Sequence, residues 1–327
     1  MRPENPRNPA ARLQGKQLEE EKSVMIRQYE RLVGRAGVRR ARSDHHSRRR
    51  PIQCGLTIHS GDNCAYSCTY CYIPDMGFRF GKPEPCALSQ EELALSILYN
   101  PSFIPGVNGT YIAIGSTVEP FQPELKSLTM GYIRELAKLG NPIQFSTKSK
   151  LDRDEAKAVQ ASCNWVSPLV TILTLDESKS RLLEPLAPSP RERLDTISNL
   201  AEAGLKPFLF LRPILPGIVA VDENVGLIDE AVRRGSRGVV LGNLRVTRRI
   251  VEAMQKRGFD VSEIVRRIRV IDEKQRVVSV SDIRDKIEKT LSANTIVFRR
   301  SCCASTYCAG LKQCVHEVPD TLLNPDS

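Results

Sequence analysis

Between Cys54 and Gly242 short apolar runs alternate with helix-like segments, and no other feature restricts the fold as tightly. The runs are "CGLTIH" (Cys54–His59), "TYIAIG" (Thr110–Gly115), "PIQFST" (Pro142–Thr147), "WVSPLVTIL" (Trp165–Leu173), "PFLFLR" (Pro207–Arg212) and "GVVLG" (Gly238–Gly242). Helical patterns lie between them near Gln90–Leu98, Leu125–Leu139, Asp152–Ala161, Pro190–Ala203 and Asn224–Arg234. Runs that are short and apolar throughout read as strands buried on both faces. Six of them alternating with helices predict an α/β fold with a parallel sheet and right-handed crossovers. Periodicity fits a doubly wound sheet and an open or closed parallel barrel equally.

The 327 residues, 41% hydrophobic and 26% charged, suffice for a large core. They divide into a basic N-terminal segment (1–50), the β/α core (51–250) and a C-terminal extension (251–327) that contains "VVSVS" (Val277–Ser281) and "TIVFRR" (Thr295–Arg300). The net charge of +10 is uneven, since residues 1–50 hold 14 Lys/Arg against 6 Asp/Glu and the remainder is nearly neutral. An amphipathic helix is predicted over Lys16–Gly34, followed by "RRARSDHHSRRR" (Arg39–Arg50) with six arginines and the pair His45–His46. This segment reads either as a polyanion-binding arm for nucleic acid or as a solvated tail, with both histidines exposed. Aromatic content of 6% argues against a base-stacking surface. The N-terminus lacks the apolar core of a signal peptide, and the most apolar run, Phe208–Val221, is broken by Arg212, Pro213 and Pro216. A cytoplasmic, non-membrane protein is expected.

Ten cysteines in a reducing compartment point to metal before disulfides. Cys64, Cys68 and Cys71 form a Cys-x3-Cys-x2-Cys loop directly after the first run, at the carboxyl end of a strand, where parallel β/α folds place their sites. Structural zinc needs a fourth ligand, and His59 lies too close in sequence to be a conventional one. Three cysteines on a [4Fe–4S] cluster leave one iron open.

The loop resembles the hallmark of the radical S-adenosylmethionine (SAM) superfamily, CxxxCx(aromatic)C after the first barrel strand, with Cys64, Cys68, Tyr70 and Cys71 in the matching places. The resemblance implies a [4Fe–4S] cluster on the three cysteines that chelates SAM through its open iron. It further implies reductive cleavage of SAM to a 5′-deoxyadenosyl radical that abstracts hydrogen, and an electron donor of flavodoxin or ferredoxin type. "GSTVEPFQP" (Gly115–Pro123), "STKSKLDRD" (Ser146–Asp154), "LEPLAPSPRERL" (Leu183–Leu194) and "LAEAGLKPFLFLRPILPGI" (Leu200–Ile218) are similar to the spore-photoproduct-lyase-related, DNA repair photolyase-like group. That group implies a partial parallel (β/α)6 barrel and a nucleic-acid base as substrate, for repair or modification.

By the same resemblance Lys148 contacts the SAM carboxylate, Glu119 its amino or ribose groups, and Thr171 and Thr174 supply a hydroxyl near the cofactor. A surface lysine, a helix cap and ordinary β-propensity are the plainer readings of these residue types. Arg212 interrupts an apolar strand, and an unpaired buried charge is costly, so it is expected to face the barrel mouth and a carboxylate or phosphate. One departure matters. Spore photoproduct lyase returns a hydrogen atom from a cysteine near the end of the second strand, where this chain has Gly115-Ser116-Thr117. A hydroxyl O–H bond is too strong for that role, so reversal of a thymine dimer by that route is not expected.

Outside the resemblance, the tail "SCCASTYCAGLKQC" (Ser301–Cys314) offers Cys302, Cys303, Cys308 and Cys314 as ligands of a second [4Fe–4S] cluster or of Zn. Neighbouring side chains in an extended segment diverge, so His316 or Cys86 stands in for Cys302 or Cys303. Cys54, Cys86 and Cys163 otherwise read as core cysteines. Two other functions fit the sequence: radical modification of a protein or small metabolite, and a non-enzymatic zinc-dependent nucleic-acid-binding protein.

Overall fold

A computed structural model describes residues 9–52 and 55–312. Its centre is a seven-stranded sheet in the order β1 (Leu56–Ile58), β2 (Ile112–Ile114), β3 (Ile143–Thr147), β4 (Ser167–Thr171), β5 (Phe208–Leu211), β6 (Gly238–Leu241) and β7 (Ile296–Phe298). Every neighbouring pair is parallel, with Leu56 opposite Ile112, Ile112 opposite Ile143, and Leu209 opposite Val239. The strands follow one another in chain order with no reversal, so the doubly wound alternative falls away, and among the described residues β1 and β7 each pair on one side only, so the barrel is partial. The sheet holds one strand more than the six apolar runs predict. Ile296–Phe298 pairs with β6, so the C-terminal segment completes the barrel wall.

Among the described residues eleven α-helices accompany the strands. They are α1 (Pro9–Ser43), α2 (Gln90–Tyr99), α3 (Pro123–Ala137), α4 (Arg153–Ser162), α5 (Glu177–Leu183), α6 (Pro190–Glu202), α7 (Val221–Arg233), α8 (Arg248–Lys256), α9 (Ser262–Arg266), α10 (Ser281–Thr290) and α11 (Ser301–Cys308). Local sequence starts several of them. Ser89, Asp152 and Ser189 close capping boxes with Glu92, Glu155 and Glu192. Among the described residues no helix is long and apolar enough to cross a membrane.

Two features differ from the sequence expectations. The basic segment docks against the body instead of projecting as an arm. α1, broken at Gly34 by a φ of 64°, packs on α2. Tyr29 donates to Glu135 at 2.7 Å, Arg40 pairs with Glu92, and the Lys22 ammonium donates to the carbonyls of Asn100 and Phe103 at 2.6 Å. His46 is buried, not exposed, and the Asn100 amide donates to the carbonyls of His46 and Arg49 at 2.7 Å.

The cysteine-rich tail is the second. Along β4–β6 alternate residues face opposite ways. Val170, Leu209 and Val239 join the main core, while Leu169, Phe208 and Val240 form a separate cluster with Ala304 and Cys308 of α11. α11 therefore lies on the sheet face opposite the main core, fixed by hydrogen bonds from Ser305 to Gln144 and between Thr306 and Tyr111, both at 2.8 Å.

Candidate active site

The Cys64–Cys71 loop leaves β1 through a two-stranded ribbon, Gly61–Asp62 against Glu84–Pro85. A side chain at Gly61 would meet the Glu84 carbonyl oxygen at 2.3 Å, so only glycine lets the two strands close. Inside the ribbon Cys64 exchanges backbone hydrogen bonds with Arg79 and Gly81, and Cys71 N–H returns to the Cys68 carbonyl. Thr69 N–H donates to the Leu183 carbonyl at 2.8 Å, which seats the loop on the end of α5.

All three thiols open onto one cleft of about 480 Å³. The facing wall is built from the carboxyl ends of β2–β4 and includes Gly115, Thr117, Glu119, Lys148 and Thr171. Burial raises the pKa of each thiol, although the Lys148 ammonium pulls the other way, so without metal the three are neutral thiols. Metal binding there must displace protons. Among the described residues only Asp44, His45 and His46 bring three candidate donor atoms within 4.8 Å of one another. Three thiols opening onto one cleft match in number the three protein ligands of a [4Fe–4S] cluster that keeps one iron open.

Lys148 is half-buried, and its Nζ lies 5.8 Å from the centre of the Tyr70 ring. Burial opposes its charge, but the pKa is raised, and with Cys68 a neutral thiol it is the neighbouring carboxyl groups of Glu184 and Glu119 that favour the ammonium. An ammonium held charged inside a cleft is a ready partner for a carboxylate. Glu119 also lines the cleft, yet its oxygens are already occupied. It accepts from the Thr147 hydroxyl, the Lys148 N–H at 2.7 Å and the Ser149 hydroxyl at 3.1 Å. Burial still raises its pKa against those hydrogen bonds. Glu119 ties the ends of β2 and β3 together and supports Lys148 from below.

A family model for the radical SAM superfamily matches residues 58–226, just over half of the chain, and includes the three-cysteine loop and the cleft wall. The chain belongs to the radical SAM superfamily. It is 23% identical over 170 residues to an uncharacterised protein of Acidianus two-tailed virus, covering 50% of this chain and 56% of that protein. An uncharacterised protein of Methanocaldococcus jannaschii is 26% identical over 172 residues, covering 50% and 61%. The chain thus spans less than two thirds of the length of these curated relatives. Among solved structures, a spore photoproduct lyase mutant with bound AdoMet and dinucleoside spore photoproduct superposes with a TM-score of 0.58 at 15% identity, covering 74% of this chain and 76% of that one. Spore photoproduct lyase complexed with dinucleoside spore photoproduct gives 0.54 at 16%, covering 72% and 74%. At such identities the likeness is one of fold, and it agrees with the partial barrel.

Within this radical SAM barrel the remaining residues singled out from sequence separate. Thr171 lines the cleft beside the cysteines, whereas Thr174 does not. The Thr174 hydroxyl donates to Glu223, which Lys179 pairs at 2.7 Å, so Thr174 ties the segment before α5 to α7. Arg212 is half-buried beyond β5 with its stem over Gly242. It is not part of the cleft wall, and among the described residues it pairs with no carboxylate.

The tail cysteines fall partly outside the described residues. Cys302, Cys303 and Cys308 lie on α11, where six helical residues rise roughly 9 Å. Cys308 is buried among Leu169, Phe208 and Val240, and burial lifts its thiol to about 11. Cys314, His316 and Cys54 lie outside the described residues, while Cys163 is buried as expected and Cys86 is half-buried.

Sequence reasoning missed one functional group. Glu184 and Arg193 form a buried ion pair, 2% and 0% exposed, behind the cysteine loop. The Tyr70 hydroxyl donates to Glu184, and Arg193 donates to the carbonyls of Pro188 at 2.8 Å and Thr171 at 3.1 Å. The block Leu183–Leu194 contains both residues, but it signals only a family likeness until the fold brings Tyr70 to it.

Proposed function

We propose that Cys64, Cys68 and Cys71 hold a [4Fe–4S] cluster and that the cleft beside it binds SAM with the Lys148 ammonium on the SAM carboxylate. The observation that carries this reading is the convergence of three thiols and one charged lysine on a single cleft. When bound, the pair supplies a 5′-deoxyadenosyl radical for hydrogen abstraction. The protein's own part is positional. Tyr70, Glu184 and Arg193 brace the cysteine loop from behind. Glu119 orients the backbone of Lys148, and Tyr66 closes the floor through its 2.7 Å hydrogen bond with Ser149. The barrel wall and the loop together keep bulk water from the reacting centre.

The substrate is a nucleic-acid base, repaired or modified. Two observations support this reading. The solved structures with the same fold carry a dinucleoside spore photoproduct. Arg35, Arg39, Arg48 and Arg50 are exposed, and among the described residues none of them pairs with a carboxylate, so the docked basic layer keeps cations for phosphates. An electron donor of flavodoxin or ferredoxin type completes the reaction.

Deuterium transfer tests the reading whatever the product is. The reconstituted protein, SAM and dithionite are incubated anaerobically with nucleic acid, protein or small metabolites from cells grown in deuterated medium. Deuterium in 5′-deoxyadenosine from the nucleic-acid pool supports a base as substrate. Transfer only from protein or metabolites overturns it, and no 5′-deoxyadenosine from any mixture overturns the radical reading itself.

A further inference from the structure

Three of the chain's four histidines lie together, with ring centres 3.9 to 5.7 Å apart. One of them, His59, links the basic segment to the cleft wall. Arg49 Nη1 lies 2.8 Å from His59 Nε2, and His59 Nδ1 lies 3.2 Å from Thr117 Oγ1. A guanidinium has no lone pair to offer, so Nε2 must be the acceptor. The neutral ring then carries its proton on Nδ1 and donates it to Thr117.

The surroundings hold the ring in that state. Burial, joined by the Arg49 guanidinium and against the opposing Asp44, lowers the His59 pKa to about 3. The His59 backbone N–H donates to His46 Nε2 at 3.3 Å, and His46 Nδ1 donates in turn to Asp44 at 2.7 Å. Asp44 Oδ1 also accepts from the His46 N–H and the Ser96 hydroxyl, both at 3.0 Å. The Asp44–His46 contact is therefore one link of a filled hydrogen-bond chain, which explains three donor atoms lying so close together.

Thr117 Oγ1 accepts a hydrogen bond from His59 Nδ1–H, which leaves its own O–H free to donate. Among the described residues His59 is the only hydrogen-bond partner of its side chain. The hydroxyl is half-buried in the cleft wall, and the nearby Glu119 already accepts from Thr147, Lys148 and Ser149. We propose that Thr117 is a dedicated hydrogen-bond donor to an exocyclic carbonyl oxygen of the substrate base, and that Arg49 and His59 are positioning residues that fix its polarity. The inference rests on the reading of the cleft as a radical SAM site acting on a base. An uncharged donor suits a neutral carbonyl, whereas the SAM carboxylate has a cation in Lys148 on the next strand. The basic segment thereby shapes the site from within, through a residue its charge alone does not single out.

The test uses the reconstituted full chain, SAM, dithionite and deuterated nucleic acid, with deuterium in 5′-deoxyadenosine as the readout. Thr117→Val is expected to lower transfer, taken relative to the same protein's cleavage of SAM without nucleic acid, about tenfold, the loss of one hydrogen bond. Thr117→Ser restores transfer. Arg49→Leu frees the His59 proton to move to Nε2, so that Thr117 must donate to the ring, and transfer falls as in Thr117→Val. Arg49→Lys still donates to Nε2 and keeps transfer, a contrast that a merely structural role would not produce. Wild-type transfer by Thr117→Val overturns the proposal. Equal loss of cleavage without nucleic acid also overturns it, since the hydroxyl then serves SAM. A wild-type protein that takes deuterium from protein alone overturns the base reading instead, and the two failures are told apart in the wild type.

Discussion

Arg249 and Asp75 meet in a two-pronged ion pair, Nε to Oδ1 at 2.6 Å and Nη2 to Oδ2 at 2.9 Å. The same Nη2 donates to the Cys71 carbonyl at 2.6 Å, and the Thr247 hydroxyl donates to Asp75 at 3.1 Å. Thr247 and Arg249 come from the start of α8, beyond the last strand that sequence periodicity predicts. A helix that follows the last predicted strand thus clamps the backbone of Cys71.

That clamp matters more for the loop than for global stability. Arg249 is partly exposed, and such ion pairs contribute no more than about 1 kcal/mol. Arg249→Ala should therefore unfold within about 1 kcal/mol of wild type. Its cluster should nonetheless lose iron to an anaerobic chelator several-fold faster, because the Cys71 carbonyl is no longer held. Asp75→Asn should show the same effect more weakly. Equal iron-release rates in all three proteins would reject the clamp.

The Glu184–Arg193 pair makes the opposite expectation. Both groups are buried, so removing one strands the other as an uncompensated charge, at a cost of about 3–5 kcal/mol. Glu184→Ala or Arg193→Ala should lower denaturant stability by that amount. Glu184→Gln keeps an acceptor for Tyr70 and should recover iron loading better than Glu184→Ala. Denaturation of the apo-protein, with iron content measured after reconstitution, separates the two effects.

Lys148 carries a raised pKa despite its burial. It therefore stays protonated well past neutrality, and its contribution to SAM binding should be flat from pH 6 to 9. Lys148→Met should weaken binding roughly 10- to 100-fold, the worth of a charge-assisted hydrogen bond. Equilibrium dialysis across that range checks both statements. A step in wild-type binding that is absent from Lys148→Met would contradict the assignment.

The first six strands and their helices were legible because each is a local apolar run or a capped amphipathic segment. Gln90–Tyr99 and Pro190–Glu202 fall within a residue of their expected ends. β7 was visible only as a short run, since its pairing with β6 is a tertiary fact. The docking of Arg39–Arg50 was hidden for a related reason: a polar sequence buries His46 only because Asn100, Ser96 and His59 arrive from elsewhere. α11 is rich in serine and cysteine and has no apolar period, so its packing on the sheet through Ala304 and Cys308 is not legible before the fold is known. At the site, Cys64, Cys68, Cys71 and Lys148 came from a motif at strand ends, which parallel folds always bring to one rim. Thr174 and Arg212 follow strand ends too, but lie outside the cleft wall.

The histidine cluster sets a limit on acid stability. His59 titrates near pH 6.5 when unfolded and at about 3 when folded. A base with a depressed folded pKa contributes its full stability above the unfolded value and loses it as pH falls, because only the unfolded chain takes up the proton. The protein should thus lose stability between pH 6.5 and 3, on the order of 4 kcal/mol from His59 alone. His46 is also lowered by burial and adds to the loss in the same direction, while the depressed pKa of Asp44 acts only below about pH 4. His45, Arg49 and Thr117 complete the ring's surroundings, and none of them reverses the sign. His59→Gln keeps hydrogen-bonding groups without a titrating site. Its stability relative to wild type should therefore rise as pH drops from 6.5 to 4, measured by urea unfolding of the apo-protein. A constant difference across that window would show that His59 is protonated as readily in the folded chain as in the unfolded one, and the fixed Nδ1–H tautomer would fall with it.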